Sequence, residues 1–188
     1  MKKQSVSKFV VLAAILLPAS AFSASTVTFQ GEVAAQTCSI SINSNTNAIV
    51  MMPTIPLSSL YTASTTKAAV GNSAGLTPFT ISVTGCTSSS SALTIYPEFL
   101  GTSVDESTYA LSNTSDSNAA TGVGIALYSD AAGTNQINLN GVTRGAALTL
   151  AANATSASAT YSAKYMATSA TTTPGKVTGV AQYTLSYL

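Results

Sequence analysis

The feature that most constrains this chain is a period of two in its apolar residues, clearest in the last fourteen, Gly175 to Leu188. From Ala181 on, Ala181, Tyr183, Leu185 and Tyr187 alternate with Gln182, Thr184 and Ser186. Successive side chains of a strand point to opposite faces, so this spacing puts the apolar set on one face. The strand is expected to run almost to the carboxyl end, with nothing after it to cover its edge. A long apolar edge strand invites pairing with another chain, and that pairing is expected to be its function.

Similar signals recur along the sequence. Val27 and Phe29 alternate with Thr26, Thr28 and Gln30, and Gly31-Glu32-Val33 follows. Cys38, Ile40 and Ile42 form a second alternating run; Ile49-Val50-Met51-Met52 is a short apolar run closed by Pro53. Phe79, Ile81 and Val83 lead through Gly85 into Cys86, and Leu93-Thr94-Ile95-Tyr96 is expected to stop at Pro97. Val123, Ile125 and Leu127, then Ala147–Leu150 and Tyr161–Met166, complete the set. The separators are rich in Ser, Asn, Gly and Pro, as turns require. Beyond the first residues no window has a helical period. The expected fold class is all-β, a sandwich or barrel. Composition does not shift along the chain after its leader, and there is no internal repeat, so one domain is expected.

The first residues read as a secretory leader. Lys2, Lys3 and Lys8 precede a nine-residue apolar run, Phe9–Leu17, and small residues follow from Pro18 to Ala24. That run is too short for a membrane span of about 20 residues. Residues 1–23 are expected to be removed, with cleavage after Ser23 favoured over Ala21 or Ala24. The remaining 165 residues suffice for one ordinary domain. They carry four basic residues (Lys67, Arg144, Lys164, Lys176) against six acidic ones (Glu32, Glu98, Asp105, Glu106, Asp116, Asp130), a net −2. Without a basic cluster, nucleic acid is not an expected partner. Only 7% of residues are charged, against about 25% in ordinary soluble domains. So bland a surface suits a subunit packed against copies of itself.

Two cysteines in an exported chain are expected to form one disulfide, Cys38–Cys86. Closing a loop of that length is worth about 4 kcal/mol in the chain-entropy treatment. Two cysteines with no histidine make a poor metal site, and no metal or cofactor is expected.

Catalytic constellations are weak. The absence of histidine excludes a Ser-His-Asp triad or a Cys-His pair. Ser64-Thr65-Thr66-Lys67 matches Ser-x-x-Lys, but the Ser-Asp-Asn and Lys-Thr-Gly partners of that motif are missing. Asp105-Glu106 reads as a pair of turn charges, since glycosidase carboxylates face each other across a cleft. Gly122-Val123-Gly124 lies inside an alternating run and lacks the third glycine of a phosphate loop. Asn113-Thr114-Ser115 and Asn153-Ala154-Thr155 match a glycosylation sequon that is frequent by chance in such chains. No catalytic residue is assigned, and the protein is not expected to be an enzyme.

The order of these features resembles the major pilins of chaperone–usher (type 1-like) fimbriae. The likeness rests on Thr26–Val33 before Cys38, Phe79–Val83 before Cys86, Gly122–Leu127, Tyr161–Ala167, Thr173–Val177 and the tail. Gly175, fourteenth from the end, together with the penultimate Tyr187, is its most specific mark. The resemblance implies an incomplete immunoglobulin-like sandwich that lacks its last strand and is completed by donor-strand exchange. It implies a leader at 1–23, a donor extension at 24–33 and a pilin domain at 34–188. Val27, Phe29 and Gly31 would be the donor residues. Gly175, Ala181, Tyr183, Leu185 and Tyr187 would form the acceptor groove and chaperone-binding wall. Implied partners are copies of the chain in a filament, a periplasmic chaperone, an outer-membrane usher and a host surface receptor. The implied role is a structural subunit of a cell-surface fimbrial shaft supporting adhesion. The alternatives are a minor tip adaptor or a glycan-binding adhesin subunit, and, from another class, a small outer-membrane barrel. The barrel requires strands of about 9–11 residues with aromatic girdles, a pattern the sequence lacks.

Overall fold

In a computed structural model, residues 37–62, 66–87 and 89–187 are described, and they pack as two facing β-sheets. The strands are β1 (Ser39–Ile42), β2 (Ser73–Thr84), β3 (Leu93–Gly101), β4 (Val123–Tyr128), β5 (Thr143–Arg144), β6 (Leu148–Leu150), β7 (Ala157–Ala167) and β8 (Ala181–Tyr187). One sheet has the order β1-β2-β7-β4. In the other, β3 pairs with β8 on one edge, and with the short β5 and β6 lying end to end along the opposite edge. All these pairings are antiparallel. The fold class is therefore all-β.

The period of two explains the core. Phe79, Ile81 and Val83 of β2 are buried while Thr80 and Ser82 are half-buried on the opposite face. They meet Ile95 and Phe99 of β3 and Tyr161 of β7 between the sheets. Phe79 and Phe99 flank the Tyr161 ring with centroids 6.0 and 5.8 Å away. The Tyr161 hydroxyl donates to the Ala146 carbonyl at 2.6 Å, which satisfies the one polar atom in that stack. β4 is buried on both faces except at Ile125, because Ala126 and Tyr128 are covered on the outer side together with Ala110 and Met166.

Cys38 and Cys86 are joined in a disulfide, with Cα atoms 4.3 Å apart. The bridge ties the start of β1 to the end of β2, where Ser39 pairs with Thr84.

Two strand expectations change. Pro97 does not end its strand: β3 runs through it, with Pro97 opposite Leu185 of β8. Its carbonyl accepts from the Gly145 amide on the other edge, so its nitrogen also faces that edge, away from β8. Proline forfeits a donor only where short strands serve the edge. The Ile49–Met52 run, in turn, is extended but joins no sheet among the described residues. Asn43 and Ser44, both in the left-handed region (φ 47° and 67°), turn the chain sharply after β1, and Ile42 and Asn45 exchange both backbone hydrogen bonds across that turn. The chain thereby leaves the sheet.

Candidate functional site

β8 has one satisfied edge and one open edge, and the register says which residues lie on which. The carbonyl of Pro97 and the amide of Gly101 bond to Gly145 and Leu139, away from β8. Thr102, of opposite parity, donates to the Val180 carbonyl. Backbone groups alternate in direction along an antiparallel ladder, so Tyr96, Glu98 and Leu100 are the β3 residues that bond to Ser186, Thr184 and Gln182. The amides and carbonyls of Ala181, Tyr183, Leu185 and Tyr187 consequently face the open edge. Their side chains are the half-buried set, packed against the core from the same strand. No strand pairs with that edge among the described residues.

Beside this edge lies a groove of about 850 Å³. Its floor is one side of the core, the buried Phe79, Phe99, Leu111 and Leu127 with the half-buried Ile125. One wall is 173–181 with Tyr183, and the opposite lip is the extended stretch from Ala48 to Leu57. Within that lip Val50 and Met52 pack inward while Ile49 and Met51 are 81% exposed. Large apolar side chains left open to water beside an unpaired strand edge mark a surface built for a partner.

The groove is closed at one end by two tyrosines. The Tyr183 hydroxyl donates to the Thr46 carbonyl, and the Cys38 amide donates to the Tyr187 hydroxyl at 3.1 Å. Both rings cross from β8 to the chain on the β1 side. Burial pushes the Tyr183 hydroxyl above its ordinary pKa, as it does that of Tyr165 elsewhere in the groove lining.

The wall before β8 has its own support. Val177 and Gly179 continue the inward alternation of β8, with exposed Thr178 and Val180 between them. A Cβ on Gly179 would lie 2.9 Å from that of Leu111, so the inward position has no room for a side chain. Gly175 runs against the 118–120 backbone, where a Cβ would come within 2.4 Å of the Ala120 nitrogen. Reading the sequence missed Val177, Gly179 and the whole 48–57 lip as groove residues. For Val177 and Gly179 the signal was present, because the period of two extends back through them.

The remaining candidates fall elsewhere. Val27, Phe29 and Gly31, the leader, Ser64 and Leu188 lie outside the described residues. The Asp105 carboxylate accepts from the Ser107 hydroxyl and from the amide and hydroxyl of Thr108. Burial raises its pKa, but these bonds outweigh burial and hold it below the usual carboxylate value. It is a turn-forming carboxylate. Lys164 donates to the Gly133 carbonyl at 2.7 Å and lies over the Tyr128 ring, which ties it to a loop.

Residues 27–188 match the family model described as fimbrial protein. The chain belongs to the fimbrial protein family. It is 36% identical to the major fimbrial subunit SMF-1 of Stenotrophomonas maltophilia over 94% of this chain and 99% of that protein. A fimbrial protein of Escherichia coli is 34% identical over 86% of each chain. Among solved structures, an antigen and type I fimbria protein of Burkholderia pseudomallei is 25% identical, covers 81% of this chain and 99% of its own, and gives a TM-score of 0.47. The family is one of structural proteins, and its membership places this chain among pilins of a cell-surface fimbrium.

Proposed function

We propose that this chain is the shaft subunit of a fimbrium and polymerises head to tail by strand donation. The observation that carries the reading is the coincidence of an open strand edge with an apolar groove. The amides and carbonyls of Ala181, Tyr183, Leu185 and Tyr187 face outward along the groove that Phe99, Leu111 and the half-buried Ile125 line. A strand laid there satisfies the edge and covers the core in one step.

The donor is residues 24–33 of another copy. Val27 and Phe29 enter the groove, each contributing about 1.5–3 kcal/mol by burial, and Gly31 needs no pocket of its own. Donation from one copy to the next is a heterologous contact that does not close, and such contacts build filaments. A subunit with this groove empty is exposed to aggregation. A periplasmic chaperone supplies a temporary strand after the leader 1–23 is removed, and an outer-membrane usher is the site of exchange. The chain performs no catalysis, and its contribution to adhesion is to carry the fibre.

Deleting residues 24–31 tests the donor role directly. The expected product is a chaperone-bound subunit that accepts a strand but cannot donate one, so it caps fibres. Long fibres built from the deletion variant alone would overturn the assignment. Immunogold labelling tests the shaft role: label along the whole fibre is expected, and label at the tip alone would make the chain an adaptor.

A further inference from the structure

The wall of the groove is supported in two different ways along its length. From Ala181 to Tyr187 it is a strand bonded to β3. From Gly175 to Gly179 it has no β3 partner, and its outer edge rests on the 113–120 loop. The Thr114 amide donates to the Thr178 carbonyl, the Ala120 amide to the Lys176 carbonyl, and the Lys176 amide to the Asn118 carbonyl. One side chain ties these together. Asn113 Nδ2 donates to the carbonyls of Ala120 and Lys176, both at 2.8 Å. Asn113 Oδ1 accepts from the amides of Ser115 and Thr178, at 3.0 and 2.9 Å. Two carbonyls on the nitrogen and two amides on the oxygen fix which way the amide group points and use both of its N–H donors.

We propose that Asn113 is a positioning residue for strand acceptance, an inference that rests on the groove reading above. By binding the outward-facing Lys176 carbonyl and Thr178 amide, it holds 176–178 in strand geometry. Val177 and Gly179, of the other parity, then turn their amides and carbonyls to the groove, in line with those of Ala181 and Tyr183. The acceptor edge is thereby lengthened past the point where β3 stops supporting it. Neither of the nearest replacements at 113 reproduces the four bonds: an aspartate sets a carboxylate oxygen against two carbonyls, and an alanine removes all four.

The test uses the full chain bound to a synthetic peptide of residues 24–33, with site-resolved hydrogen exchange and peptide dissociation as readouts. In the wild-type complex the amides of Val177, Gly179, Ala181, Tyr183 and Leu185 should all be protected. In Asn113→Ala and Asn113→Asp, protection at Val177 and Gly179 should fall by about tenfold or more, while Tyr183 and Leu185 keep theirs, since several hydrogen bonds are lost locally. The peptide should leave about tenfold faster. Of two peptides shortened from opposite ends, the one that no longer reaches Val177 should leave wild type and variants at the same rate. If the Asn113 variants do not fold, Thr114→Val, which removes only the Thr114 hydroxyl bond to the Thr178 carbonyl, should show a smaller loss confined to the same two amides. Protection that is unchanged, or lost evenly along the wall, would overturn the role of Asn113 alone. A wild-type complex with no protection anywhere from Val177 to Leu185 would overturn the groove reading and this inference with it.

Discussion

At the scale of single residues, Tyr161 shows how one polar atom is managed in an apolar core. The residue is fully buried, between Phe79 and Phe99. Burial raises its hydroxyl from 10.0 to about 12. A tyrosine whose folded pKa lies above its unfolded value contributes stability that is complete below pH 10 and lost as pH climbs through about 12. The gap corresponds to roughly 3 kcal/mol. Urea midpoints at pH 8 and above pH 11 should therefore diverge more for wild type than for Tyr161→Phe. Equal alkaline losses in the two proteins would show that other groups govern the transition. The phenylalanine variant is itself expected to be destabilised by about 1–3 kcal/mol near neutrality, because the half-buried Ala146 carbonyl loses its donor.

At the scale of elements, the inward faces are filled to different depths. β2 buries Phe79, Ile81 and Val83 and β7 buries Tyr161 and Ala163, whereas the inward residues of 177–187 stay half-buried because no strand among the described residues pairs on that side. Gly179 is a tight point on the inward face, against Leu111. Gly179→Val is expected to overpack this site by about 1–3 kcal/mol and to abolish capture of the 24–33 peptide in a calorimetric titration. Gln182→Val, exposed on the outer face, should change stability by no more than about 0.5 kcal/mol and bind normally. Equal binding by both variants would place the incoming strand somewhere other than this wall. The elements also show where local pattern misled. Ile49–Met52 has the composition of a strand, yet the left-handed pair Asn43 and Ser44 carries it out of the sheet. Pro97 has the composition of a stop, yet the ladder with β8 continues past it because its nitrogen faces the other edge.

At the scale of the whole molecule, the described residues form a sandwich whose two sheets they do not close along one side. β1 and β8 are edge strands of opposite sheets, and the groove lies between β8 and the chain that leaves β1. Filling that side with a strand from another copy would order many backbone hydrogen bonds and apolar contacts together. Leaving it again requires breaking them together, which makes dissociation slow rather than merely unfavourable. Surface fibres run on a gel without heating should form a ladder of multimers and collapse to single subunits only after strong heating. Collapse at room temperature in detergent would show that ordinary surface contacts hold the fibre.

Periodicity alone determined that the chain is all-β and that Ala181, Tyr183, Leu185 and Tyr187 share a face, because alternation is a local consequence of strand geometry. The low charge and the paired cysteines were equally plain in composition. Three things depended on tertiary structure. The open edge is a matter of register, which is set by where Pro97 and Gly101 find their partners. The 48–57 lip is a matter of chain direction, set by one turn. The role of Asn113 is a matter of distance through space, since its partners at 176 and 178 lie more than sixty residues away. An asparagine in a polar loop carries no mark of such contacts, because hydrogen bonds between remote segments leave no period in the sequence that makes them.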